Sequence, residues 1–177
     1  MPSTTASLSR LFALFVLTCG TFTSCYSASN KVTRGEIFDP IEPQPRSVPV
    51  EVLVPADGEY AGKAYPGSGK AVALRIQQTA ATRFGDVKLV ESTGVTGAKS
   101  RLRIQAVLQQ WEDRNTTWSG KADEIQVQLS LHDATRVRRT LTYYAHSSWR
   151  SFVNTPPEDL LNSDFDAAVL ELLPDSR

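Results

Sequence analysis

The sequence predicts an α+β fold: a mixed, mainly antiparallel sheet of about five strands, with two helices packed on one face. In the middle of the chain, apolar residues occupy every second position over residues 102–108 and again over 125–131. This period of two is typical of antiparallel strands with one face on a core and one face in water. Apolar residues recur about four apart over residues 69–84 and again between 161 and 172, which predicts the two helices.

The first strand and the first helix follow from local signals. Valines alternate over residues 48–54, and Pro49 restricts this strand to a sheet edge or a strand start because proline has no N–H to give to a ladder. Ser68 is a typical N-cap for the helix over 69–84, and Gly85 is a typical stop.

Shorter patterns predict the remaining elements. Apolar residues indicate a strand over 87–90 and another from 141 to about 149. The sequence Thr155-Pro156-Pro157-Glu158 is a capping box with proline at the first helical position, so the second helix should begin there. The order is strand, helix, four strands and helix, which favours two helices on one side of a sheet.

Residues 1–24 have the features of a signal peptide. Residues 11–17 are an apolar run preceded by one charge, Arg10, and the run is too short to span a bilayer, which needs roughly 20 apolar residues. The leader ends in Phe22-Thr23-Ser24-Cys25, which resembles a bacterial lipoprotein signal, where the cysteine is lipidated and becomes the first residue of the mature chain. A plain secretory leader cut nearby is the alternative.

Cysteine usage favours the lipid anchor at Cys25. The chain has two cysteines, Cys19 and Cys25, both in the leader region, so the rest of the chain can form neither a disulfide nor a thiolate metal site. In lipoproteins of Gram-negative bacteria an Asp after the cysteine usually means inner-membrane retention. Tyr26 stands there instead, which implies the outer membrane, with the domain facing the periplasm.

The chain after the leader divides into two parts. Residues 25–47 contain Pro40, Pro43 and Pro45 and little to bury, so they predict a lipidated N-terminus followed by a flexible tether. Residues 48–177 have the length of a single domain with its own core. The 19 basic and 19 acidic residues balance, so no long-range field exists to gather nucleic acid, and a nucleic-acid partner is disfavoured.

The loop between the two central strands is the candidate interaction loop: Trp111, Glu112, Asp113, Arg114 and Trp118. Its tryptophans could shield the end of the sheet, or they could form a platform for sugar rings or a partner protein. Glu112 and Asp113 are adjacent on a strand end and point to opposite sides, so they are poorly placed to flank one glycosidic bond. Arg114 is their expected salt-bridge partner.

Three other motifs have ordinary explanations. The sequence from Ala64 to Ala71 resembles a phosphate-binding loop but lacks its first glycine and the Ser or Thr after the lysine, so it reads as a helix N-terminus. His132 and His146 are expected to lie too far apart to share a metal ion. No Gly-x-Ser-x-Gly nucleophile motif occurs. We therefore predict no catalytic residue, no metal and no cofactor, and no small-molecule ligand can be named.

One resemblance rests on the central loop and its flanks. The pairing of Trp111-Glu112-Asp113-Arg114 with Thr117-Trp118-Ser119-Gly120, the strand over 125–133 and a late Trp149 is similar to a group of uncharacterised proteobacterial lipoproteins that share a domain of unknown function. The similarity covers most of residues 48–173. Where that family usually has a helix, between residues 90 and 101, this chain is rich in Gly, Ser and Thr. The resemblance implies a lipid-anchored envelope protein without an assigned activity.

These observations favour a non-enzymatic envelope lipoprotein that serves as an accessory or assembly component. It would contact the membrane through its lipid anchor, and an envelope protein through the loop from Trp111 to Gly120 and the polar face of the sheet. The alternative is a glycan-binding module or a weak hydrolase that uses the same loop.

Replacing the proposed lipidated residue tests the anchor. Cys25→Ser should release the protein into the soluble periplasmic fraction, because acyl chains that contribute roughly 0.8 kcal/mol per buried methylene are lost. Membrane fractionation and the mass of the mature protein are the measurements. A variant that stays membrane-bound and unchanged in size would contradict the assignment.

Overall fold

The computed structural model describes residues 28–91, 102–113, 122–133, 136–147 and 156–177. The strands are β1 (Ala28–Phe38), β2 (Val50–Val54), β3 (Gly58–Tyr60), β4 (Lys63–Tyr65), β5 (Val87–Glu91), β6 (Leu102–Glu112), β7 (Glu124–Asp133) and β8 (Arg136–Ser147). The helices are α1 (Ser68–Ala80), a short 3-10 helix (Pro157–Leu160) and α2 (Ser163–Leu172).

Six of the strands form one mixed sheet in the order β1-β8-β7-β6-β2-β5. The first four strands of this order pair antiparallel, whereas β2 runs parallel to both β5 and β6. β3 and β4 form a separate two-stranded hairpin. The predicted α+β fold with a mainly antiparallel sheet is confirmed, with six strands in the main sheet where about five were expected.

The additional strand comes from the segment predicted to be a tether. Residues Ala28 to Arg34 of β1 pair in register with Ser147 to Leu141 of β8. The prediction of a flexible tether over 25–47 is therefore wrong for residues 28–38. β1 lies at the sheet edge and is largely exposed, so its sequence never needed the apolar alternation by which the other strands were found.

The core lies between one face of this sheet and the two helices. On β7 the inward residues Ile125, Val127, Leu129 and Leu131 are fully buried, as the alternation predicts. Opposite them the helices contribute buried residues that include Val72, Ile76, Phe165, Ala168 and Leu172. Full burial of one such aliphatic side chain contributes roughly 1.5–3 kcal/mol, so this layer supplies the main stabilisation.

The N-terminus of α1 is formed differently from the prediction. Gly67 is the N-cap, with φ of 90°, and no side chain caps the helix from that position. Ser68 is the first helical residue; its hydroxyl accepts a hydrogen bond from the Gly58 N–H at 2.8 Å and donates one to the Tyr65 carbonyl at 2.7 Å. The assignment of Ser68 as N-cap is wrong because its hydroxyl binds the β3–β4 hairpin.

The start of α2 was also predicted too early. Pro157 to Leu160 form the 3-10 helix, and the α-helix begins after Asn162, whose side chain accepts a hydrogen bond from the Asp164 N–H at 2.9 Å. Proline fixes φ near the helical value, and a single turn satisfies that preference as well as a long helix does. Thr155 lies outside the described residues.

Two arginines bind the C-terminal end of α2. Nη1 of Arg139 lies 3.0 Å from the Leu173 carbonyl, and Nη1 of Arg83 lies 2.7 Å from the Leu170 carbonyl. The last carbonyls of a helix have no partners within the helix and carry partial negative charge, so guanidinium groups are well suited to this position. Partial burial lowers the pKa of Arg139, and neighbouring arginines act in the same direction against the charge of Asp175.

The end of the chain pairs with the connection between β1 and β2. Ser176 forms a parallel bridge with Gln44. The Gln44 N–H donates to the Asp175 carbonyl at 2.8 Å, and the Arg177 N–H donates to the Gln44 carbonyl at 3.0 Å. The last residues are therefore part of the hydrogen-bonded structure.

Removing one buried hydroxyl tests how β8 holds the helix layer. The Tyr143 hydroxyl is 2.8 Å from the Leu160 carbonyl and 3.0 Å from Oδ1 of Asn30, and the Tyr143 side chain is fully buried. Tyr143→Phe should lower the free energy of unfolding by about 1–3 kcal/mol, because the buried Leu160 carbonyl loses its donor out of reach of bulk water. Urea unfolding is the measurement. Thr142→Val removes a hydroxyl from the opposite face of β8 and should change stability by less than about 0.5 kcal/mol; equal losses in both variants would contradict this assignment.

Candidate interaction surface

Trp111 does not lie on the surface. Its side chain is fully buried near the end of β6, where Gly58 of β3 lies directly over it. A Cβ atom added at Gly58 would stand 2.5 Å from Cβ of Trp111. Among the described residues its indole Nε1 has no hydrogen-bond partner. A buried ring cannot stack on a sugar or a partner, so this tryptophan shields the end of the sheet.

Glu112 and Glu124 form a register pair on the adjacent ends of β6 and β7. The amide of Gln110 lies between them, donating to Oε1 of Glu112 at 2.7 Å and to Oε2 of Glu124 at 2.9 Å. Glu112 is buried and Glu124 is half-buried. The amide of Gln110 therefore holds the two carboxylates side by side at the end of the β6–β7 pair.

Of the other members of the candidate loop, Asp113 is among the described residues, whereas Arg114 and Trp118 are not. Asp113 is exposed at the end of β6, and its charge reaches the hairpin: burial and then the Asp113 carboxylate raise the pKa of Tyr65. Arg114 and Trp118 lie outside the described residues, so the expected salt bridge and the second tryptophan platform stay predictions.

Glutamines dominate the middle of the sheet face that points away from the helices. Nε2 of Gln126 donates to Oε1 of Gln109 at 2.7 Å, and Nε2 of Gln109 donates to Oε1 of Gln128 at 3.1 Å. Val107 on the same face is 44% exposed. The alternation of Gln105, Gln109, Gln126 and Gln128 with apolar residues was visible in the sequence. That these glutamines lie together on one continuous surface became clear only from the register between β6 and β7.

The far part of this face carries a shielded ion pair. Nε and Nη2 of Arg103 lie 3.1 and 2.9 Å from Oε2 of Glu51, and both side chains are more than four-fifths buried. His132 pairs with Arg103 across β6 and β7. Its pKa is lowered, first by burial and then by the Arg103 charge, which disfavours the imidazolium form.

The two histidines lie at opposite ends of the sheet. His146 is paired with Glu124, whereas His132 lies eight residues further along β7. At roughly 3.3 Å per residue this separates them by about 26 Å, so they cannot share an ion.

The motif that resembles a phosphate-binding loop is occupied by the chain itself. Oδ1 of Asp57 accepts a hydrogen bond at 2.9 Å from the Gly69 N–H in the first turn of α1. A carboxylate already fills the position that an anion would take at this helix N-terminus. The interpretation as an ordinary helix start therefore has a structural basis, with Asp57 supplying the contact that was assigned to Ser68.

Two properties of the described residues bear on the type of site. They contain no group of three or more His, Cys, Asp or Glu side chains arranged to hold a metal ion. Neither α1 nor α2 has the length and apolar character needed to cross a membrane.

The similarity to known proteins lies in the fold. No family model matches the chain, and no curated protein matches it. Among solved structures it is similar to PelC from Paraburkholderia phytofirmans, which was solved as a dodecamer. One PelC structure, of a point variant, superposes with a TM-score of 0.55 and 18% identity over 85% of this chain and 99% of PelC. A second, from another crystal form, gives 0.53 and 14% over the same shares.

A third similar structure is protein XCC0632 from Xanthomonas campestris, described by the family model DUF330. It has a TM-score of 0.43 and 13% identity over 77% of this chain and 88% of that protein. The two PelC superpositions, at identities below 25%, show a shared fold alone. The resemblance to a lipoprotein family stays a prediction.

The contact between Gly58 and Trp111 can be tested with a matched pair of glycine variants. Gly58→Ala should destabilise the protein by about 1–3 kcal/mol, because the added methyl overlaps Cβ of a fully buried ring that has no room to move. Gly85→Ala meets its nearest atom, the Arg46 carbonyl oxygen, at an ordinary 3.6 Å and should be almost neutral. Thermal unfolding and tryptophan emission are the measurements. Equal stability of the two variants would show that Trp111 is not clamped in this way.

Proposed function

We propose that this protein is a lipid-anchored bacterial envelope protein that acts as a non-enzymatic assembly component and functions as a homo-oligomer. The anchor is Cys25, and the membrane is the outer membrane with the domain facing the periplasm.

The extent of the fold similarity is the observation that supports self-association. The superposition with PelC covers 99% of that protein and 85% of this chain, so it includes the whole architecture of the domain. The PelC structures are dodecamers. Because this chain shares the architecture of a domain that forms dodecamers, we propose that it also self-associates.

The edge of the sheet offers a surface suited to self-association. β1 is an 11-residue edge strand, and its outer side has no strand partner within the described ranges. Ile37 is 44% exposed on it and Val32 is 38% exposed. Long edge strands present unpaired N–H and C=O groups to other chains, and exposed apolar residues add area that association can bury.

The environment of the loop residues supports a non-enzymatic role over the glycan-binding or hydrolase alternative. Trp111 is buried, so its ring cannot serve as a sugar platform. Glu112 and Glu124 share the amide of Gln110. In glycosidases the two carboxylates flank an accessible bond, whereas here one carboxylate is buried and both are bound by the same side chain.

The mass of the protein in solution tests the proposed self-association. Residues 26–177, produced without the leader, should have a mass at least twice that of one chain, and a whole-number multiple of it, in light scattering and native mass spectrometry at micromolar concentrations. Ile37→Lys should shift the protein towards the monomer, because a charge would be buried at the sheet edge. Leu74→Lys, at a 37% exposed position on α1, is the matched control and should leave the mass unchanged. A monomer at all concentrations would contradict the proposal.

A further inference from the structure

The distance along the chain between the proposed anchor and the first strand is short. Cys25 is the proposed lipidated residue, and β1 begins at Ala28, three residues later. An extended chain reaches about 3.3–3.6 Å per residue, so these three steps span at most about 11 Å. The folded domain therefore begins almost at the lipid.

β1 is held in the sheet from its first residue. Ala28 pairs with Ser147, and the register continues residue by residue to Arg34 opposite Leu141. Side chains of β1 also reach the helix layer: Asn30 donates to Asp164, and Arg34 forms an ion pair with Glu171. The strand that follows the anchor thus moves with the whole domain.

Strand register defines which end of the sheet is next to the anchor. The start of β1, the end of β6, the start of β7 and the end of β8 meet there, at Ala28, Glu112, Glu124 and Ser147. We call this the anchor end. The opposite, turn end contains Asp133 and Arg136, where β7 passes into β8.

On the basis of the proposed lipid anchor, we infer that the anchor end of the sheet lies against the bilayer surface and that the turn end points away from it. β8 has 12 residues, so the turn end is roughly 35–40 Å from Ala28 along the strand. The connection reaches only about 11 Å, so the turn end cannot touch the bilayer while the anchor end is lifted away from it.

The described residues that are exposed at the anchor end indicate how deep the contact goes. Ser29 and Asp113 are exposed there and polar, and Glu124 is half-buried. Moving a charged carboxylate into hydrocarbon is costly, so this end meets the headgroup layer and does not enter the acyl chains. The partner is thus a phospholipid headgroup surface.

Single cysteines at the two ends of the sheet test the orientation. No cysteine follows Cys25, and a lipidated Cys25 offers no thiol, so Ser29→Cys and Arg136→Cys each introduce one labelling site. Both positions are exposed. The acylated protein carrying a fluorophore is reconstituted into phosphatidylcholine vesicles that contain a headgroup-linked quencher. The Ser29→Cys probe should lose fluorescence several-fold, and the Arg136→Cys probe should keep its intensity.

A spacer variant is the control for the short connection. A flexible Gly-Ser insertion of about 20 residues between Ser27 and Ala28 should let the domain leave the surface and greatly reduce quenching at Ser29→Cys. Equal quenching of both probes would mean that the domain lies flat, and it would overturn the orientation. Quenching at Ser29→Cys that does not change with the spacer would overturn it as well. Failure of the anchor itself is separate: the protein would not sediment with vesicles, and its N-terminal residue would have an unmodified mass.

Discussion

Burial of the inward side of β7 is the constraint on which the rest of the structure depends. β7 lies between β6 and β8, and its four inward aliphatic residues are fully buried under the helices. Because the side-chain period of a strand is two, a slip of one residue would place Gln126 and Gln128 in the core and the aliphatic residues in water. The cost of that exchange fixes the register on both sides of β7. The glutamine surface and the pairing of Glu112 with Glu124 both follow from that register.

The helix layer is attached to the sheet through polar contacts at both ends of α2. At its N-terminal end the Tyr143 hydroxyl contacts Asn30, Leu160 and Asn162, which join β8, β1 and the 3-10 helix. At its C-terminal end Arg83 and Arg139 bind the free carbonyls. Apolar burial alone is non-directional, so these contacts define where the helix sits along the sheet. They also explain why an edge strand with little apolar surface stays in place, since Asn30 and Arg34 both bind α2.

The sequence was most informative where burial alternates and least informative where contacts are distant. β6 and β7 were predicted well because each has one side in the core. β1 was missed because an edge strand with exposed faces leaves no periodic pattern, and the nearby prolines suggested a tether instead. Serine is a residue type favoured at N-caps, yet the hydroxyl of Ser68 binds the Gly58 N–H of the hairpin instead. The same glycine decides that Trp111 is covered, and no local pattern around Trp111 reports a residue so far away in the chain.

The pairing of the last residues has a practical consequence for protein engineering. Chain ends are usually tolerant of fused tags and truncation because few contacts hold them. Here the backbones of Asp175 and Arg177 are hydrogen-bonded to Gln44, and two residues further on the Arg46 carbonyl accepts from the Gly85 N–H at 2.8 Å. An affinity tag added after Arg177 therefore needs a flexible linker between it and the domain. Cutting the chain before Asp175 would remove backbone hydrogen bonds from the segment that connects β1, at one edge of the sheet, to β2, the strand next to the opposite edge.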